Sequence, residues 1–146
     1  MDALRLEPPP DDLWERYHRD RSALVPTDRG VGELLTRWDR ARDLGAAPEG
    51  LPPDEALVRG DALADRCSAL APVLHDGHAV LSAAVAAAAA RDYALLVADR
   101  DGVVTFAEGG GGFGDDARRL RLIPGASWSE TARGTTAIGT AIAEDR

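Results

Sequence analysis

Three short stretches of the chain carry residues that could bind a metal ion or a phosphate group. His75 and His78 are three residues apart, a spacing that suits two ligands of one metal ion, but no third ligand stands near them. Asp99–Gly102 begins like a calcium-binding loop, yet Val103 occupies a ligand position, so a turn is the better interpretation. Gly109–Gly114 lacks the Gly-Lys-Ser/Thr ending of a phosphate-binding loop, and the chain has no lysine. We therefore expect neither a metal site nor a cofactor.

Candidate nucleophiles are also few. Cys67 is the single cysteine and falls on an apolar stripe at helical spacing, which is typical of a small core residue. Ser127 and Ser129 have no histidine near them in the sequence and no nucleophile-elbow motif. Ser127 and Glu130, three residues apart, instead fit a helix capping box. We expect no catalytic residue, and hence no enzyme.

Composition and charge narrow the class of protein further. A chain of 146 residues with 45% apolar residues suits one domain with a real core. Its 25 acidic and 17 basic residues give a net charge of −8, which disfavours direct contact with nucleic acid. If the chain belongs to a DNA-binding regulator, the DNA-binding part is elsewhere. Neither a signal peptide nor a membrane span is recognisable, so a cytoplasmic protein that does not enter a membrane is expected.

The first third of the chain predicts two helices. The first covers residues 11–21, and the second covers residues 27–44 with Thr27 as its N-terminal cap. Gly45 is a natural helix end, since glycine accepts the left-handed conformation found there. Residues 46–53 are rich in proline, glycine and alanine and read as a linker.

The same two helices contain aromatic residues and several charges. Trp14 and Trp38 are interpreted as anchors that pack the helices together. The spacing of the apolar residues leaves Arg37, Asp39, Arg40 and Arg42 largely for solvent.

The remaining residues predict further helices around a β-hairpin. A helix is expected from Asp54, broken at Pro72, and an alanine-rich helix covers residues 78–91. Two apolar stretches, 94–98 and 103–106, flank a tight turn and predict the hairpin. Two shorter helices follow at residues 115–120 and 137–144, the last of them capped by Thr135 or Thr136.

One long motif resembles a known family. Residues 125–141 read Gly-Ala-Ser-Trp-Ser-Glu-Thr-Ala-Arg-Gly-Thr-Thr-Ala-Ile-Gly-Thr-Ala, which is similar to the G-x-x-W-x-E-x-x-x-G-T-N-A-I-G-T-A signature of acetoin-regulator-like GAF domains. Those domains stand at the front of enhancer-binding transcriptional activators of the Fis family. Trp38, Arg40 and Gly45 resemble the W-x-R-x-x-x-x-G helix that precedes the family's domain. The chain departs from the family at Thr136, where asparagine is usual, and at Arg37, where serine is usual.

The resemblance implies an α+β fold in two parts. Residues 1–53 would form an N-terminal helical segment with a linker, and residues 54–146 a partial GAF-like domain whose helices pack on an antiparallel sheet. The family's domain continues beyond the equivalent of Arg146 with further strands, so an incomplete sheet with an unpaired edge is expected.

The resemblance also implies a function. It suggests a small-molecule-sensing module of a bacterial regulator, without its own DNA-binding or ATPase part. The ligand would be a compact ketone or alcohol, and the partner a second copy or another regulator chain. The residues placed near the ligand are Trp128, Glu130, Thr135, Thr136 and Ile138. The alternatives are structural roles for these residues, and a ligand-free interaction or dimerisation module or a truncated remnant for the chain.

Overall fold

The computed structural model describes residues 10–48, 57–91, 93–109, 116 and 119–145, and shows an α+β fold as predicted. Its helices and strands follow one another as α1 (Leu13–Arg19), a 3-10 turn (Arg21–Ala23), α2 (Arg29–Asp43), α3 (Gly60–Asp76), α4 (His78–Ala89), β1 (Ala94–Ala98), β2 (Val104–Gly109), α5 (Glu130–Arg133) and α6 (Ala137–Ala143).

The first two helices form the best-buried core of the described chain. Its fully or nearly buried members are Leu13, Tyr17, Leu24, Val31 and Leu35. Leu13 and Tyr17 on α1 and Val31 and Leu35 on α2 recur at helical spacing, and Leu24 joins them from the connection between the helices, so burial of one apolar stripe on each helix stabilises the pair.

The ends of α2 follow from local capping. The Asp28 side chain accepts a hydrogen bond from the Val31 amide at 2.9 Å, so the cap is Asp28 and the prediction of Thr27 was wrong. The predicted end at Gly45 is confirmed, since this residue has a φ of 80° and its amide donates to the Arg42 carbonyl.

The third helix differs from the prediction at both ends. Residues 57–59 are not helical and α3 begins at Gly60, because the Val58 amide donates instead to the Gly125 carbonyl. Pro72 was expected to break the helix, but α3 runs through it, which its fixed φ permits. The break falls at Gly77, where α3 and α4 meet at an angle of 94°.

The hairpin prediction is confirmed. Antiparallel β1 and β2 form a two-stranded sheet, with an irregularity in register between Val97 and Ala98. The Asp99 carboxylate accepts from the amides of Asp101 and Val103, and Gly102 has a φ of 80°. The acid-rich segment is therefore a hydrogen-bonded turn.

A further extended segment lies beside the start of β2. The Val104 amide donates to the Ala126 carbonyl, and the Trp128 amide donates to the Gly102 carbonyl at 2.7 Å. On the far side of this segment, Leu57 forms an isolated bridge with Ala126. The start of β2 is therefore paired on both sides, and the short segments at 57–58 and 125–128 widen the small sheet.

The last two helices are joined by Gly134 and Thr135. Ser129 is the N-cap of α5, so the predicted capping box of Ser127 and Glu130 was wrong. Thr136 caps α6 by accepting from the Gly139 amide at 3.0 Å, which confirms one of the two predicted caps. Of the helix predicted at 115–120, residues 116, 119 and 120 are described: Asp116 and Arg119 are helical, and the Leu120 amide donates to the Asp116 carbonyl at 2.8 Å.

Within the described ranges, no single helix is long and apolar enough to cross a membrane, and only α3 and α4 taken together, as a sharply bent pair, would reach that length and composition.

Candidate functional site

A cavity of about 260 Å³ lies where α1, the end of α2 and the α5–α6 connection meet. Its volume is slightly below the range of about 300–1,000 Å³ that is usual for small-molecule sites, so it suits a compact molecule. The lining residues that matter most for its chemistry are Trp14, Tyr17, Trp38, Arg42, Arg133 and Thr135.

One wall of the cavity is aromatic. The Trp14 and Trp38 rings meet edge to face, with centroids 4.8 Å apart, and Tyr17 meets Trp38 at 5.1 Å. This contact joins α1 to α2, as the anchor interpretation of the two tryptophans requires. Trp14 nevertheless keeps 42% of its surface exposed, so part of its ring remains available to a bound molecule.

A polar network supports the aromatic wall from behind. Asp39 accepts hydrogen bonds from the Tyr17 hydroxyl at 3.0 Å and from Arg21 Nη2 at 2.7 Å. The hydrogen bonds from Arg21 are the main reason that the pKa of Asp39 lies below its ordinary value, while burial raises the pKa of Tyr17. Asp39 was predicted to lie largely in solvent, but it is half-buried, because Tyr17 on α1 and Arg21 on the following turn bind it.

We expect Asp39 to make stability depend on acid pH. Its pKa is lowered in the folded state, so its contribution is complete above the ordinary value of 3.8 and is lost as the pH falls through the folded pKa. Replacing Asp39 by asparagine should therefore flatten the fall in unfolding free energy between about pH 5 and about pH 2, measured by urea unfolding. The exposed neighbour Asp43, replaced in the same way, should leave that slope closer to the wild type, and equal slopes for both variants would contradict the assignment.

Arg133 is the most unusual side chain at the cavity. It is only 9% exposed, and its Nη1 donates to the Leu120 carbonyl at 3.0 Å. Its buried Nε and Nη2 have no hydrogen-bond partner among the described residues, and its guanidinium lies 4.2 Å from the centroid of the Trp128 ring. Burial, followed by repulsion from Arg121, lowers the pKa of Arg133. This cation is thus buried without a carboxylate, an arrangement that costs free energy unless something else compensates it.

Partly buried ion pairs connect α2 to α5 and to the C-terminal end of α6. Arg40 donates to both carboxylate oxygens of Glu130 at 2.6 Å, and Arg37 donates to both oxygens of Glu144 at 2.7 and 3.0 Å. Glu130 is only 4% exposed. The prediction that Arg37 and Arg40 face solvent was wrong, and Arg37, a departure from the family signature, has a defined partner.

The five predicted binding residues fall into different surroundings. Thr135 lines the cavity, and its buried Oγ1 has no hydrogen-bond partner. Trp128 lies under Arg133 and donates its indole N–H to the Arg121 carbonyl. Thr136 caps α6 and donates to the Trp128 carbonyl, while Glu130 is held by Arg40 and Ile138 is half-buried in α6. Trp128, Glu130 and Thr136 therefore make contacts within or beside the connection that carries Thr135. A binding role for each of the five remains a prediction.

Sequence reasoning missed most of the cavity wall. Trp14 and Trp38 were interpreted as anchors only, and Arg133 was passed over within the motif. The two tryptophans could have been linked to each other, because they lie on consecutive predicted helices whose facing sides meet in the structure. For Arg133 no sequence signal distinguishes a buried arginine from an exposed one.

The histidines have ordinary surroundings. His78 Nε2 lies 3.5 Å from the Ser82 hydroxyl, one helical turn along α4. Across the described residues, no group of three or more histidine, cysteine, aspartate or glutamate side chains is placed to hold a metal ion.

A second concave surface lies between α3, α4 and β2. This groove, of about 460 Å³, is lined mainly by the apolar side chains of Leu74, Leu81, Val85 and Phe106. Val80, the residue before Leu81 on α4, is 75% exposed.

Comparison with known proteins connects the chain to a transcriptional activator. The relative is the acetoin dehydrogenase operon transcriptional activator AcoR of Bacillus subtilis (strain 168), which is 27% identical over 135 residues. The alignment covers 91% of this chain and 22% of the relative, so the chain spans less than a quarter of the relative's length. No protein-family model and no solved structure matches the chain.

Proposed function

We propose that the chain is a non-catalytic, GAF-type sensory module of a cytoplasmic transcriptional regulator, and that it binds a compact ketone, alcohol or similar metabolite. Similarity to a transcriptional activator across most of the chain supports a regulatory role in general. The observation that carries the sensing role is the cavity of about 260 Å³, whose lining combines the rings of Trp14 and Trp38 with the polar residues Arg42 and Thr135. DNA binding and ATP hydrolysis are assigned to other parts of the regulator, since a net charge of −8 disfavours contact with DNA.

The cavity lies between two parts of the chain, so that a bound molecule can change their spacing. Its walls come from α1 and α2 on one side and from the α5–α6 connection on the other. The Arg40–Glu130 and Arg37–Glu144 pairs join the same two parts of the chain. A molecule that favours one spacing of these parts would shift the population toward it, which is the physical basis of sensing without chemistry.

Thermal unfolding of the purified chain tests the sensing function. We expect calorimetry to show a cooperative transition whose midpoint rises with one compound from a panel of small ketones, diols and carboxylates. A ligand at about 100 times its Kd stabilises the folded state by about 2.7 kcal/mol, which moves the midpoint by several degrees. A transition that is indifferent to every compound would contradict the proposal.

The second candidate function is dimerisation, with a second copy of this chain as the partner. Strand β1 pairs with β2 only, and its other edge has no backbone partner among the described residues. The strand is uncharged and reads Ala-Leu-Leu-Val-Ala from Ala94 to Ala98, nearly the same in both directions. A twofold axis at Leu96 would thus pair it with itself, as a symmetric interface requires.

Light scattering distinguishes this second candidate. We expect a dimer whose fraction rises with concentration, and a monomer after Leu96→Lys, because charge on an edge strand opposes pairing. Val25→Lys, at a site that is 79% exposed and far along the chain, is the matched control and should remain dimeric. A wild-type chain that is monomeric at every concentration would exclude dimerisation through β1.

A further inference from the structure

We propose that the cavity between α1, α2 and the α5–α6 connection binds a neutral molecule with a single aromatic ring, which lies against Trp14 and Trp38. This ligand class rests on the proposed sensing function and narrows it. Among the compact ketones and alcohols that the family resemblance suggests, the cavity selects those that carry an aromatic ring.

Ring side chains form one side of the cavity. Trp14, Tyr17, His18 and Trp38 all line it. Tyr17 is only 4% exposed, whereas Trp14 is 42% exposed and Trp38 is half-buried. The two tryptophans therefore present ring surface that an entering molecule can cover.

The angle between the two tryptophan rings favours a flat partner. Their planes meet at 79°, with centroids 4.8 Å apart. Aromatic pairs prefer an offset-stacked or an edge-to-face arrangement. A planar ring stacked on one tryptophan therefore meets the other edge to face, and makes both preferred contacts at once. A saturated ring of the same size is puckered and has no π-system, so it makes neither contact.

The size of the cavity limits the ligand to one ring. Beside the aromatic rings, several positions of the lining carry a methyl group or no side chain at all: Ala41, Ala46, Ala47 and Gly134. They contribute to a volume of about 260 Å³. Because an apolar cavity of about 150 Å³ is enough to bind benzene, this one has room for a ring with a short substituent.

The charges at the cavity favour a neutral ligand. A cation is disfavoured because the lining contains Arg42 and Arg133, and no acidic residue is among its described members. An anion gains little from Arg133, whose Nε and Nη2 are enclosed by the protein and whose guanidinium lies over Trp128. It also gains little from Arg42, which is already paired with Asp39 at 3.3 Å and with Asp43 at 3.6 Å.

Calorimetric titration of the whole chain with acetophenone and cyclohexyl methyl ketone tests the ligand class. The two probes share a methyl ketone and the same number of carbon atoms, and differ in whether the ring is aromatic. We expect acetophenone to bind about threefold to tenfold tighter, because aromatic pairs gain free energy beyond the area that they bury. Burial of apolar area alone would favour the saturated ring, which has the larger apolar surface. Benzoate, with the same aromatic ring and a negative charge, should bind no tighter than acetophenone.

Two variants locate the contact. Trp14→Leu removes the more exposed ring and keeps the wall apolar, so acetophenone should bind about threefold or more weakly and lose its advantage over the saturated ketone. Tyr93→Leu is the matched control, since it makes the same kind of replacement at a site that is 64% exposed and does not line the cavity. It should leave both affinities unchanged.

The outcomes separate the ligand class from the sensing function. The aromatic class is overturned if acetophenone does not bind, if the saturated ketone binds equally well or better, or if benzoate binds more tightly than acetophenone. Sensing stands in each of these cases when another compound of the wider panel raises the unfolding midpoint. A midpoint that no compound moves, the two ketones included, would overturn both. Because the comparison of probes uses the unaltered chain, the ligand class stays testable if Trp14→Leu fails to fold.

Discussion

Replacing Glu130 by alanine should lower the free energy of unfolding by about 2–3 kcal/mol, measured by urea denaturation. Removing one partner of a buried ion pair costs about 3–5 kcal/mol, because the other charge is left desolvated and unpaired. The Arg40 side chain retains about a third of its exposed surface and lies 3.5 Å from Glu144, so a loss at or just below the lower end of that range is expected. The loss would also separate α2 from α5, the two elements that the pair joins.

The matched control for Glu130 is the exposed pair of Arg29 and Glu33. The Arg29 side chain is 91% exposed, and it pairs with Glu33 one turn along α2. Arg29→Ala should cost no more than about 0.5 kcal/mol, as is usual for exposed pairs. If the variants at Glu130 and Arg29 lost similar free energy, the pair with Arg40 would not be the structural connection described above.

Replacing Gly125 by alanine should destabilise the fold by more than about 3 kcal/mol. A Cβ atom at this position would overlap the Val58 carbonyl oxygen, so the paired segments at 57–58 and 125–128 would have to separate. Its φ of 91° adds a backbone cost of about 1–2 kcal/mol for any residue with a side chain. Urea unfolding of the variant measures the sum of both effects.

Gly45 provides the control for the backbone part of this effect. Its φ is 80°, yet a Cβ atom there would meet nothing within 4 Å. Gly45→Ala should therefore cost only about 1–2 kcal/mol, from backbone conformation alone. A Gly125 variant no less stable than the Gly45 variant would show that the contact with Val58 is not close in solution.

The parts of the fold that were predictable have local causes. The hairpin follows from two apolar stretches around a turn with Gly102, and the end of α2 follows from Gly45. The cap at Thr136 likewise depends on residues within one turn of the chain. Such features need no knowledge of distant partners, which is why residue order alone indicates them.

The errors arose where distant residues decide the structure. Glu130 was assigned to a local capping box, but its carboxylate binds Arg40, 90 residues away in the sequence. Arg37 was assigned to solvent, but it binds Glu144, 107 residues away. α3 begins late because residues 57–58 pair with the segment at 125–126 instead of joining the helix. Amphipathic spacing describes one helix at a time and cannot anticipate such pairings.

The candidate site shows the same division. The family motif pointed to the region around Thr135, which lines the cavity, because the motif is a continuous stretch of sequence. The opposite wall, with Trp14 and Trp38, lies nearly 100 residues earlier and was reachable only through the fold. The unpaired nitrogens of Arg133 are a property of its burial, which no residue pattern reveals.

The most direct measurement of the central claim uses the three tryptophans as reporters. In a ¹H–¹⁵N correlation spectrum, each indole N–H gives a separate signal, and Trp14 and Trp38 line the cavity while Trp128 lies beneath Arg133. Titration with the compound that raises the unfolding midpoint most should move the Trp14 and Trp38 signals along saturable curves that share one Kd. Signals that stay fixed while the amides around Phe106 move instead would place binding in the groove between α4 and β2, and would contradict the assignment of the cavity as the sensory site.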